Sequence, residues 1–85
     1  MRFKTVVTVT LRPTILDPEG KAIEHALGAL AIGAFSGVRV GKRIELFVDA
    51  PDAAAARTAA DEAASRLLAN TVMEDYTVDI VETGA

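Results

Sequence analysis

The sequence predicts an α+β fold in which two helices lie on one face of an antiparallel sheet. Three observations point to it. Apolar and polar residues alternate near both ends of the chain, the period of half-buried strands. Two stretches, opened by Asp17 and by Asp52, carry helical spacing and capping chemistry. Strand-like and helical stretches also take turns along the chain, in the order β-α-β-(β)-α-β.

Residues 2–12 form the first strand. Phe3, Thr5, Val7, Val9 and Leu11 share one face, and Pro13 ends the run because it has no N–H to donate. Asp17, Pro18 and Glu19 then open a helix: a capping carboxylate, a proline suited to the first turn, and an acid at the positive end of the dipole. Ile23, Ala26, Leu27 and Leu30 make its apolar stripe, while Lys21, Glu24, His25 and Gly28 lie off it. The helix is expected to stop between Ala31 and Gly33, with Gly33 as a left-handed terminator.

Val38, Val40, Ile44, Leu46 and Val48 are all even-numbered. A two-residue turn at Gly41-Lys42 would set valines against charges, so it is rejected. A three-residue loop or one long strand bent at Gly41 keeps the faces consistent, and the long strand is favoured. Asp52 caps a second helix running to about Ala69, in which nine of the eighteen residues 52–69 are alanine. Its expected inner face is Ala56, Ala59, Ala60, Ala63 and Leu67, with Glu62 and Arg66 paired outside. Asn70 is expected to cap the helix end. Tyr76, Val78 and Ile80 mark a last strand, and 83–85 are expected to fray. The order of elements is related to the ferredoxin-like sandwiches.

Composition narrows the function. Eighty-five residues make one domain, expected to span 1–85, and such a chain buries only ~60–65% of its unfolded surface. The absence of cysteine excludes disulfide scaffolds, thiolate zinc sites and thiol nucleophiles. A single histidine makes a catalytic triad or histidine metal site improbable, so no metal site is expected. Net charge is −3 with a pI near 5.0, which disfavours nucleic acid as a partner. Met1–Thr5 holds no apolar signal core, and the ten-residue run from Ala26 to Phe35 is too short to span a bilayer. The expected location is the cytoplasm, without membrane contact.

Few residues look chemical. His25 is the one conventional base, and its place off the stripe favours a surface or contact role. Arg39-Val40-Gly41-Lys42-Arg43 is the one basic cluster. It lacks the spacing of a phosphate loop, and the strands lack the aromatics of an RNA platform. Arg39 and Lys42 are expected to serve docking or a bound anion rather than folding. Glu74 and Asp75 are adjacent on an extended chain and point apart, which argues against a shared proton.

Three stretches together resemble one family. They are Leu16-Asp17-Pro18-Glu19-Gly20-Lys21-Ala22, continuing to His25-Ala26-Leu27; Val38-Arg39-Val40-Gly41-Lys42; and Leu67-Leu68-Ala69-Asn70-Thr71-Val72-Met73-Glu74-Asp75-Tyr76. Their content, order and spacing resemble PurS, the small subunit of phosphoribosylformylglycinamidine (FGAM) synthase, over nearly the whole chain. Thr71 stands where that family usually has proline. Ala31-Ile32 stands where it usually has glycine and an aromatic, which shifts the expected helix stop toward Gly33.

The resemblance implies an accessory subunit without an active site. It would bridge a glutaminase subunit and an ATP-dependent synthase subunit and support ammonia transfer between them. The complex makes FGAM from formylglycinamide ribonucleotide (FGAR), ATP and glutamine in purine synthesis, so ATP and Mg²⁺ would belong to the complex and not to this chain. Lys21, His25, Arg39, Gly41 and Lys42 are the expected partner or anion contacts. Asp17, Pro18, Gly20, Asn70, Glu74, Asp75 and Tyr76 are the expected structural motif. A small-molecule-binding regulatory module of the ACT type is the alternative, disfavoured by its missing glycine-rich first loop. The thin, alanine-rich core and the long third stretch predict a homo-oligomer, a dimer or tetramer paired through the 36–49 strand.

Overall fold

The computed structural model describes residues 1–82, so the expected frayed tail over 83–85 lies outside the described residues. β1 (Arg2–Leu11) is followed by α1 (Pro18–Leu30), β2 (Gly41–Asp49), α2 (Ala53–Ala63) and β3 (Glu74–Glu82). The three strands form one antiparallel sheet in the order β2-β1-β3.

The register places like with like. Phe3, Thr5 and Val7 of β1 lie opposite Val48, Leu46 and Ile44 of β2, and Thr5, Val7 and Val9 lie opposite Ile80, Val78 and Tyr76 of β3. Because parity is kept on all three strands, these side chains share one face. α2 and the turn that continues it cover that face through Ala56, Ala60 and Ala64, all fully buried. Alanine at each contact lets helix and sheet backbones approach closely, so the core is thin. Thr5 is also buried there, and its hydroxyl donates to the Leu46 carbonyl at 3.0 Å.

The inner face of α2 differs from the expected one near its end. Ala64–Leu68 form a π-helical turn, closed by the Ala69 N–H donating to the Ala64 carbonyl at 2.9 Å. One extra residue in that turn rotates the side chains beyond it about the helix axis. Leu67 is thereby turned outward, 81% exposed, while Leu68 packs on the core. Ala59 also faces solvent. The outer pair is as expected, with Arg66 Nη1 2.8 Å from Glu62 Oε1.

The segment expected as a long strand over 36–49 also differs. It is neither one long strand nor a hairpin: residues 34–40 have no regular structure, and β2 begins at Gly41. Among the described residues three strands therefore form, without the optional fourth. A side chain at Gly41 would collide with the β1 backbone, 2.7 Å from the Val9 carbonyl, so glycine permits the close start of this pairing.

α1 starts as the sequence predicts, with Asp17 as cap and Pro18 in the first turn. It stops earlier. Ala31, not Gly33, takes the left-handed conformation (φ 55°, ψ 35°), and its N–H donates to the Gly28 carbonyl. α1 makes no more than marginal contact with any strand or with α2. Its stripe is not laid on the sheet: Ile23 and Leu30, with Ile32 and Phe35 beyond, are 40–65% exposed. The chain is accordingly elongated, 50 × 30 × 13 Å. Its radius of gyration is 16.5 Å, against about 12 Å for a compact chain of this length. No helix among the described residues is long and apolar enough to cross a membrane.

Candidate functional site

One end of the sheet gathers the three sequence stretches. There the end of β1 meets the starts of β2 and β3, the segment 34–40 and the first turn of α1. Asp17 is the hub. It is 4% exposed; its Oδ1 accepts the Gly20 N–H at 2.9 Å and its Oδ2 accepts the Val40 N–H at 2.7 Å. The Val40 bond first, then that from Gly20, and the nearby Arg39 charge hold its carboxyl below the ordinary aspartate range. Gly20 is buried because its first turn rests on backbone: a Cβ there would lie 2.4 Å from the Val38 carbonyl oxygen.

The basic cluster divides among three directions. The Arg39 guanidinium donates to the Arg12 carbonyl at 2.9 Å and the Leu11 carbonyl at 3.3 Å, tying 34–40 to the end of β1. Lys42 pairs with Val9 in the register and so lies on the inner face, with Nζ 3.8 Å from Glu74 Oε2. Arg43 lies on the outer face and donates to Glu45 at 2.6 Å. Glu45 also takes Lys4 at 3.0 Å, and these two cations, Lys4 foremost, lower its pKa.

The last stretch supplies the third wall. Asn70 organises the turn before β3 instead of capping the helix, whose last turn ends at Leu68 with Ala69 as its C-cap. The Asn70 carbonyl accepts the N–H groups of Met73 and Glu74, its Oδ1 accepts that of Val72, and its own N–H donates to Glu74 Oε1. The Thr71 carbonyl accepts a hydrogen bond from the Arg12 guanidinium. Glu74 and Asp75 do point apart. Glu74 faces Lys42, while Asp75 faces Arg12, with Oδ1 3.6 Å from Nε. Tyr76 belongs to the α2 side of the sheet, where its hydroxyl donates to Asp61 at 2.8 Å; that bond, and then burial, raises its pKa.

A cleft of about 430 Å³ opens at this end, where α2 no longer covers the inner face. Val9, Leu11 and Val40 form its floor, and Glu19, Lys42 and Glu74 its polar rim. The structure thus brings Asp17, Gly20, Arg39, Gly41, Lys42, Asn70, Glu74 and Asp75 together. Pro18 begins the helix beside them. Lys21 and His25 stand apart on the exposed length of α1, where Lys21 lies 3.6 Å from Glu24. Among the described residues no cluster of three or more acids or histidines is placed to hold a metal ion. Arg12 is the residue that sequence reasoning missed. It touches two of the three stretches, yet as one more charge at a strand end it carries no signal of that role.

A family model, PurS: Phosphoribosylformylglycinamidine (FGAM) synthase, matches residues 4–82. The chain belongs to the PurS family. The PurS subunit of Synechocystis sp. is 47% identical over 87% of this chain and 74% of its own. That of Mycobacterium leprae is 48% identical over 88% and 91%. Among solved structures, a chain of PurLQS from Thermotoga maritima superposes with a TM-score of 0.89 at 32% identity, covering 95% of this chain and 99% of that one. The match decides for PurS over the ACT-type alternative.

Proposed function

We propose that the chain is a non-catalytic accessory subunit of FGAM synthase, acting in de novo purine biosynthesis. The observation that carries this reading is the near-complete superposition on a chain of the Thermotoga PurLQS assembly. On this reading the chain docks between a glutaminase subunit and an ATP- and Mg²⁺-dependent synthase subunit, supports ammonia transfer between them, and works in the cytoplasm. ATP and Mg²⁺ belong to the partners.

The surface suits such a role. An elongated chain with an uncovered apolar helix stripe leaves much of its hydrophobic area for other molecules. Lys21 and His25 on α1, and Arg39, Gly41 and Lys42 at the sheet end, are the proposed contacts. Self-association belongs to the same proposal. β2 is an edge strand of nine residues, and Phe47 on it is exposed, so a second copy could add its own β2 by two-fold pairing.

The test is reconstitution. The purified chain alone should show neither FGAM synthesis nor glutaminase activity, and it should restore glutamine-dependent FGAM formation to the two partner subunits. Robust turnover by those two with this chain omitted would overturn the proposal.

A further inference from the structure

We infer that Asp17 and Gly20 form a clasp that sets the direction in which α1 leaves the sheet. α1 has 13 residues and is about 19 Å long. It is held at its first turn and makes only marginal contact beyond it. A rotation of about 10° at that turn would carry the far end through about 3 Å. Whatever fixes the first turn therefore fixes where Ile23, Leu30 and His25 are presented.

Two features fix it. One carboxylate bridges the helix and a segment twenty-three residues away, through the Gly20 and Val40 N–H groups. The absence of a side chain at Gly20 lets the first turn rest against the Val38 carbonyl. The segment beneath is itself anchored, because Arg39 donates to the Leu11 and Arg12 carbonyls. The chain of contact runs from β1 through Arg39 and Val40 to Asp17, and so into the helix. Asp17 and Gly20 are positioning residues in this arrangement. Their importance for assembly rests on the reading that α1 faces a partner; their control of the angle does not.

Asp17→Asn separates the clasp from the cap. Asparagine caps helices about as well as aspartate. Its single side-chain oxygen can accept from Gly20 or from Val40, but the amide nitrogen cannot replace the second acceptor. Gly20→Ala attacks the other half, because its Cβ must push the turn off Val38 while alanine favours the helix itself.

The chain has no cysteine, so nitroxide labels at Thr8→Cys and Ala29→Cys report one sheet-to-helix distance in full-length chain diluted with unlabelled chain. The unclasped background should give a broad distance distribution and the clasped one a narrow distribution, with equal helix content by circular dichroism. If Asp17→Asn loses helix signal, Gly20→Ala, which keeps the Asp17 carboxylate, carries the test. A distribution as narrow as in the parent for the folded variants overturns the inference.

Reconstitution with the partner subunits supplies the second readout. An arm that holds the right angle a tenth of the time should need about ten-fold more chain for half-maximal activity, with the maximal rate unchanged. Unaltered concentration dependence in a variant with a broadened distance would overturn the link to assembly. A parent chain that fails to support the reaction would sink the proposed function and leave the distance result to decide the clasp.

Discussion

Replacing Ala31 with glycine should stabilise the end of α1. The Ala31 φ of 55° and ψ of 35° place a Cβ in the left-handed region, which costs an L-residue about 1–2 kcal/mol. Glycine removes that strain but adds freedom to the unfolded chain worth about 0.4–1 kcal/mol, leaving a net gain of roughly 0.5–1 kcal/mol. Where that gain is felt depends on packing. α1 has only marginal contact with the sheet, so it opens without unfolding the rest. Ala31→Gly should therefore slow amide exchange in the last turn of α1, around Leu27–Leu30, by about two- to five-fold. The urea midpoint of the sheet should stay in place. The assay is amide exchange followed by NMR, beside a urea titration read from the strands. No slowing in α1 would refute the strain argument. An equal rise in the stability of the sheet would refute the view of α1 as an arm that opens alone.

Other outcomes follow from the same geometry. Ala60→Leu forces a large side chain between α2 and the sheet and should cost about 1–3 kcal/mol in urea unfolding; Ala59→Leu, on the exposed side, should stay within about 0.5 kcal/mol. Lys42→Ala removes a partly exposed ion pair and should leave stability within about 0.5 kcal/mol, whereas Arg39→Ala frees two carbonyls and should speed exchange of the Val40 amide. Asp17 has a lowered pKa when folded, so its contribution is present above the unfolded aspartate value and is lost as pH falls through the folded one. Loss of Val40 amide protection should thus set in below about pH 4, while in Asp17→Asn that protection should be low at every pH and show no such step.

Much of the fold was legible because period-two patterning is a backbone property. The alternation in β1 and around Tyr76, Val78 and Ile80 named the residues that the register places on one face. Asp17 and Asp52 named both helix starts, since capping needs only local chemistry. Endings were less legible. Nothing local in Ala64–Leu68 announces a π turn, so an ideal helical projection placed Leu67 inward when the extra residue turns Leu68 in. The stop at Ala31 was masked because glycine at 33 looks like the cheaper terminator, yet the backbone turns two residues earlier at the cost of strain.

Residues 38–40 show why the site was harder than the fold. Even parity at Val38 and Val40 matched that of Ile44, Leu46 and Val48, and parity alone reads as one strand. Parity cannot say where a backbone N–H goes. That of Val40, expected in a strand ladder, is donated instead to a carboxylate twenty-three residues earlier. A strand continued through Val40 would leave Asp17 with one partner and Gly20 without the carbonyl it rests on. β2 is therefore shortened to begin at Gly41 by the same contacts that hold the first helix. Sequence spacing assigned each of these residues a separate local role, as cap, kink or solvated charge. Their joint role arises only when β1 brings its far end, with Leu11 and Arg12, beneath Arg39. The residue types used are ordinary, and only their arrangement joins them.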